Sequence, residues 1–341
     1  MRFPSLSHRS VSVFIPTALS AFLCHAAMSL TGCSEAAPPA PDNTQAFIAG
    51  SVVGGLGGPI VNARVTTVPA TKTVLTDPAG RFVIDSIDAI RYSILIERDS
   101  ARARAEADAS IDTAHVSVRL PIWRLTWSDE FTGDAVDVNI WHQPEGDAGA
   151  PDWATRYRRH AASVGEGRLR MTSTHDAIEP GKYSTAILVT REFYQYGRFE
   201  IRAKLPRGRG MWPAHWLWPL DKHSAPELDI MEMVGHDPSM TYMTYHFGNP
   251  DGTRGKKSKA WRGFDRSADY YTYSLEWYPG EARWLIDDVE CFRTSLVQAD
   301  EPMNLIICTA VGGDWPGDPD ATTVFPQFHD VEFVRIYHAV E

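Results

Sequence analysis

The sequence has no excess of basic charge: Lys and Arg number 33 against 43 Asp and Glu, a formal net charge of −10. That balance argues against nucleic acid as the main partner. Stretches that read as long amphipathic helices are few, and no internal repeat is visible. There is no HExxH metal helix, no G-x-S-x-G elbow, no Walker loop and no dinucleotide fingerprint. The longest apolar stretch, near the N-terminus, is broken by Pro16 and His25 and does not suit a permanent spanning helix. What is present is ordinary for a globular protein, with 43% hydrophobic and 22% charged residues. A length of 341 residues leaves room for one large domain and a smaller companion.

Cysteine is also scarce, at 4 residues, and the first two fall in a targeting segment. Arg2 and Arg9 precede the apolar stretch, which ends in Leu30-Thr31-Gly32-Cys33. That ending resembles the lipobox of bacterial lipoproteins, with residues 1–32 as the signal peptide and Cys33 as the lipidated first residue of the mature chain. The resemblance implies an exported protein, lipid-anchored to the bacterial cell envelope and so partnered with a membrane. The alternative is a plain signal peptide and secretion. Residues 33–45, rich in Pro and Ala, read as a flexible tether. The remaining Cys291 and Cys308 either pair in an oxidising compartment or stay as two buried thiols.

From Phe47 the texture changes to short β-like runs separated by Gly and Pro, six or seven within residues 46–120. This spacing predicts a small β-sandwich. The stretches "GGPIVNARV" and "TDPAGRFVI" are similar to carboxypeptidase regulatory-like (transthyretin-like) domains, which implies an Ig/transthyretin-like accessory module without catalytic residues. Residues 121–341 form a second unit, rich in Trp, Tyr and Gly, with many strand-length runs such as "GRFEIRAKL" and "YYTYSLEWY". They predict an all-β domain, a large antiparallel sandwich or jelly roll.

One run, "PELDIMEMVGH" at residues 226–236, holds three carboxylates in apolar surroundings with no basic residue nearby. Side chains of a strand alternate faces, so Glu227 and Asp229 share one face and Glu232 falls on the other. A β-bulge between Asp229 and Glu232 reverses the alternation and brings all three to one side. The outer α-carbons would then stand roughly 13 Å apart. Local shortening and inward-leaning Glu side chains could bring the carboxyls to the ~5–6 Å that suits a double-displacement glycosidase. Asp229, between the glutamates, would keep the pair in different charge states, because three carboxylates on one face cannot all ionise without cost. The alternative is an ion-paired surface strand.

With that pattern the whole second unit resembles glycoside hydrolase family 16, in the bulged Glu-x-Asp-x-x-Glu form of laminarinases. "LTWSDEFTG", "YQYGRFEIRAKLPRGRGMWPAHWLWP", "AVGGDWPGDPDATTVFP" and "VEFVRIYH" occur in the family's order. The resemblance implies a concanavalin-like jelly roll with a concave sugar-binding cleft. It implies Glu227 as nucleophile, Asp229 as assisting acid and Glu232 as general acid/base. It places Trp212, Trp216 and His246 at the substrate, and Trp315 on a Gly-rich loop joins them as an aromatic contact. No cofactor is required for catalysis. A structural calcium is a family possibility, with Asp330 as its carboxylate ligand beside backbone oxygens near Glu130 and Gly165.

The expected function is therefore retaining endo-hydrolysis of a β-linked polysaccharide by a monomeric hydrolase, with laminarin-like β-1,3-glucan as first expectation. Mixed-linkage glucan, an acidic or sulfated galactan, and transglycosylation are alternatives of the same chemistry. A non-catalytic carbohydrate-binding lectin is the alternative of another class. "TRGKKSKAWRG", residues 253–263, reads as a basic loop, either solvated or bordering the cleft and selecting charged glycans. His215 departs from the family pattern beside the cleft strand.

Overall fold

The computed structural model describes residues 45–110, 113–147, 154–219, 225–296 and 298–340. The expected signal peptide, Cys33 and nearly all of the expected tether lie outside the described residues. Among those described, strands make up almost all regular structure, and the one helical piece is a 3-10 turn at Arg159–Ala161. The all-β expectation holds.

Seven short strands between Ala46 and Arg119 form a 3-stranded and a 4-stranded sheet. Their shared core contains Ile48, Val65, Phe82, Ile84, Ile94 and Ile96. The strand Arg81–Ile87 shows why: Phe82, Ile84 and Ile87 are buried while Arg81, Val83 and Asp85 face water. The turn before it is held by the Asp77 carboxylate, which accepts from the backbone N–H groups of Ala79 and Arg81, each at 2.8 Å. Gly80 closes that turn at φ +72°, where an added Cβ would meet the Val52 carbonyl oxygen at 2.5 Å.

The rest of the described chain folds as two large sheets packed face to face, of 11 and 7 strands. In the larger sheet the 14-residue strand Gln327–Val340 lies between Arg168–His175 and Gly197–Lys204. In the smaller the order is Arg254–Arg262, Met240–Gly248, Glu227–Glu232, Met211–Trp218, Asn304–Val311, Ile187–Thr190 and Trp141–His142. All six of these neighbours pair antiparallel. The inner faces interdigitate through Phe199, Ile201 and Trp277 from one sheet and Leu217, Leu228, Met231, Tyr245 and Ile307 from the other. Trp284, fully buried, donates its indole N–H to the Asp229 carbonyl oxygen at 2.8 Å. That bond ties the acidic strand to the sheet behind it.

Two sequence readings are changed or resolved here. The basic run is not a loop: Arg254–Arg262 is an edge strand in nine-residue register with Met240–Gly248. A tight turn explains it, closed by Asn249 N–H to Thr253 O at 2.8 Å and Gly252 N–H to Asn249 O at 2.9 Å. An edge strand tolerates lysines because one flank remains in water. Cys291 and Cys308 are two free, buried thiols, on strands of different sheets.

Candidate active site

The acidic strand carries a bulge. Against Met240–Gly248, Asp229 stands opposite Thr244 and Glu232 opposite Tyr242, so three steps on one strand match two on its neighbour. Against Met211–Trp218, Asp229 meets Trp216, while Met231 and Glu232 meet His215 and Ala214. Ile230 is therefore the extra residue, and Glu227, Asp229 and Glu232 line one face while Leu228 and Met231 are buried behind them. The cross-strand rows on that face are Glu227–His246–Lys256, Asp229–Thr244–Ser258 and Glu232–Tyr242–Ala260.

The neighbouring strand on the other side supplies aromatics at every second or fourth position. Trp212, Trp216 and Trp218 share the cleft face with Ala214, while His215 and Leu217 point into the core. Together with Tyr157, Cys308, Ala310 and the three carboxylates they line a cleft of about 480 Å³. Trp315 extends this wall: its ring meets Trp212 edge-on at 5.3 Å and Tyr242 at 4.9 Å, and it remains 40% exposed. An indole face held this way offers a flat apolar surface to the C–H face of a pyranose.

The three carboxyls have different surroundings. Burial pushes Glu232 up to about 7, opposed by the hydrogen bond it accepts from Trp212 Nε1 at 3.1 Å and raised further by Glu227. Asp229, almost fully buried between the glutamates, is raised well above the carboxylate range by burial and then by the charges of Glu232 and Glu227. These surroundings favour its protonated form, in which it donates a hydrogen bond to Glu227. Burial raises Glu227 too, but the Arg254 guanidinium, in direct ion-pair contact, opposes the rise. His246 places Nε2 3.2 Å from Asp229 Oδ2 and is pushed down to about 4 by burial, then by Arg254 and Lys256. The imidazole is neutral at physiological pH. The site thus has a carboxylate paired with a cation, a proton-holding acid between, and a second acid that titrates near neutrality.

One ligand atom from each of Glu227, Asp229 and His246 lies within 4.8 Å of the others, a triad with the spacing of a cation site. Arg254 already neutralises its most accessible carboxylate.

The structure brings Glu227, Asp229, Glu232, Trp212, Trp216, His246 and Trp315 together at this one cleft. His215, although on the same strand as the tryptophans, faces the core. Asp330 lies elsewhere, in the strand Gln327–Val340, where Arg170 holds both its oxygens at 2.7 Å. The side chain of Glu130 is likewise held by Arg335 at 2.9 Å. The carboxylate expected to ligate calcium is thus paired with a guanidinium.

Sequence reasoning passed over Trp218 as a site residue, and reached Arg254 only as part of the basic run 253–263, left open between solvent and the cleft border. The period-two spacing from Trp212 through Trp216 pointed to Trp218. The pairing of Arg254 with Glu227 had no such signal, because it spans two hairpin connections.

The family model described as "Glycosyl hydrolases family 16" matches residues 150–326, which include every cleft residue named above. The chain is 36% identical over 262 residues to a "Beta-glucanase" of Rhodothermus marinus, covering 66% of this chain and 88% of that protein. It is 29% identical over 251 residues to a "Glucan endo-1,3-beta-glucosidase" of Cryptopygus antarcticus, covering 62% of this chain and 91% of the relative. Among solved structures, the laminarinase from Rhodothermus marinus superposes with a TM-score of 0.59 at 36% identity, covering 65% of this chain and 100% of that one.

Proposed function

The chain belongs to glycosyl hydrolase family 16 and is a glycoside hydrolase, and from that premise we propose that its cleft cuts internal bonds of β-1,3-glucan with retention. The observation that carries the proposal is the bulge at Ile230, which sets three carboxyls of unequal protonation on one face beside Trp212 and Trp216. The relatives named β-glucanase, endo-1,3-β-glucosidase and laminarinase support the choice of glucan.

The roles follow from the surroundings. Protonated Glu232 delivers its proton to the departing glycosidic oxygen, guided by the Trp212 N–H on its other oxygen. Glu227, kept charged by Arg254, attacks the anomeric carbon and forms a glycosyl ester. Asp229 keeps its proton through this step and limits the negative charge that would otherwise collect on the strand. Glu232, now a carboxylate, takes a proton from water, which cleaves the ester and restores both glutamates. His246 supports Asp229 as a neutral partner, and the indoles position the sugar ring.

The test is reducing-sugar release from laminarin and lichenan by the chain lacking residues 1–33, with Glu227→Ala and Glu232→Ala beside it. Release from laminarin by the parent alone, with the new β-anomer appearing first by NMR, is the expected result. Release of the α-anomer first, or undiminished activity in either variant, would overturn these roles.

The N-terminal segment extends the proposal. Cys33, following Leu30-Thr31-Gly32, is the lipid acceptor of an exported, envelope-anchored enzyme, and the sandwich within residues 46–120 is a carboxypeptidase regulatory-like spacer. Metabolic labelling with a fatty acid should tag the parent and not Cys33→Ser, which should appear in the soluble fraction.

A further inference from the structure

The basic edge strand has chemistry that hydrolysis of a neutral glucan leaves unused. Five of its nine residues are Lys or Arg, in a chain whose net charge is −10. Cross-strand pairing puts Lys256 beside His246 and hence in the row of Glu227, on the cleft face, and Arg254 is two residues along on that same face. Arg254 lines the cleft itself, its guanidinium 6.0 Å from the Trp218 ring centre and in contact with Glu227. Lys256 is exposed and, among the described residues, makes no direct ion pair, its charge reaching Glu232 only through space. Arg262, at the far end, is taken by Asp237 at 2.9 Å, and Lys257 on the opposite face by the Ser295 carbonyl at 2.9 Å.

The counter-ion of Arg254 is the side chain that reacts. Once Glu227 forms its ester it carries no charge: the negative charge has moved to Glu232, and the guanidinium loses its contact partner at the edge of a half-enclosed cleft. Lys256, next to it, adds a second positive charge rather than a balancing negative one. With ionised Glu232 offsetting one of the two cations, an anionic substituent on the sugar chain would balance the other and take the contact that Glu227 gave up. Arginine presents a planar fork that accepts carboxylate or sulfate oxygens in pairs, and lysine adds a mobile point charge.

We propose that Arg254 and Lys256 form an anion-binding flank of the cleft, and that the preferred substrate is a β-glycan bearing carboxylate or sulfate groups near the point of cleavage. This deepens the function proposed above, and it rests on Glu227 being the nucleophile. The substituent makes its ion pair most fully in the glycosyl-enzyme, so part of its benefit falls on the reaction step as well as on binding.

The experiment compares one β-1,3-glucan in three forms: plain, lightly carboxymethylated and lightly sulfated. The parent enzyme should show kcat/KM about tenfold higher on at least one charged form, equivalent to about 1.4 kcal/mol. The larger ratio identifies the substituent. Raising salt from about 0.01 M to about 1 M shortens the screening length from roughly 30 Å to roughly 3 Å and should remove most of the advantage. Lys256→Gln should reduce the charged-to-plain ratio severalfold. Equal rates on all three forms, or a preference that salt and Lys256→Gln leave intact, overturn the proposal. Calorimetric binding of the same three glycans to Glu232→Gln provides a second readout that needs no turnover. If no form is cut but the charged ones bind more tightly, the catalytic roles fail and the flank stands. If plain glucan is cut and charged forms neither bind nor react better, the flank fails and the hydrolase stands.

Discussion

His215 and His329 face each other in the core with their Nε2 atoms 3.0 Å apart, both side chains buried beneath the cleft. Thr309 Oγ1 holds His329 Nδ1 at 3.0 Å, while His215 Nδ1 has no hydrogen-bond partner among the described residues. One ring must donate and the other accept, so the contact excludes two charged imidazoles and needs at least one neutral ring. Burial pushes His329 down to about 4 and His215 well below its usual range. Below pH ~6.5 the unfolded chain therefore binds protons that the folded chain refuses. The stability this pair contributes is complete above that pH and is lost as pH falls towards 4. Urea unfolding across pH 7.5 to 4.5 should show falling stability, and His215→Phe should flatten the slope. A slope unchanged by that variant would remove the pair from the account.

Trp212 should set the alkaline limb of the pH–rate profile. Its N–H stabilises the ionised form of Glu232, which titrates at about 7. Trp212→Phe keeps an aromatic wall but loses the donor, so the Glu232 pKa should rise and the alkaline limb of kcat/KM should move to higher pH. Activity at pH 6 should fall about 10-fold through loss of positioning. A limb that stays in place would mean that another group controls it.

Glu232 should be a stability cost as well as a catalytic group. Its folded pKa lies above the unfolded value near 4.3, so it favours the fold at low pH and disfavours it as pH rises through 7. Glu232→Gln should raise unfolding free energy by roughly 1–2 kcal/mol at pH 8, where the buried charge is removed. The gain should vanish by pH 4. Calorimetric Tm values of the two proteins at both pH values decide it.

Gly235 follows the acidic strand where no side chain fits. An added Cβ would stand 2.4 Å from the Gly208 carbonyl oxygen and 2.7 Å from the Met211 Cβ. Its N–H also donates to the Met211 carbonyl oxygen at 2.7 Å, pinning the strand's end to the start of the tryptophan strand. Gly235→Ala should cost roughly 1–3 kcal/mol in urea unfolding and lower activity as the carboxyls shift. Full stability in that variant would show that the two segments can separate freely.

Some of this molecule can be read directly from its residues. Alternating runs such as "RFVIDSI" and "GRFEIRAKL" name their own buried faces, because a strand's period is short enough to be visible in seven or eight residues. The Glu-x-Asp-x-x-Glu spacing likewise implied a bulge, since only an extra residue puts acids two and five positions apart on one face. Those are local relations, carried by neighbouring residues along one strand.

Other features depended on partners distant in sequence. Whether the basic run was loop or strand depended on the ladder offered by Met240–Gly248, and lysine content alone indicated solvent in either case. His215 looked like a cleft residue by neighbourhood, yet the pleat turned it to meet His329, 114 residues away. Asp330 was offered as a cation ligand, and sheet pairing sets Arg170 opposite it, 160 residues away. Arg254 became the counter-ion of Glu227 only when two hairpins brought their strands into one sheet. The sequence by itself determined which residues alternate, which face is apolar and where a strand must bulge, because these follow from backbone geometry over a few residues. Tertiary structure alone decided which charge meets which, because ion pairs form through space and their partners are chosen by sheet order and register.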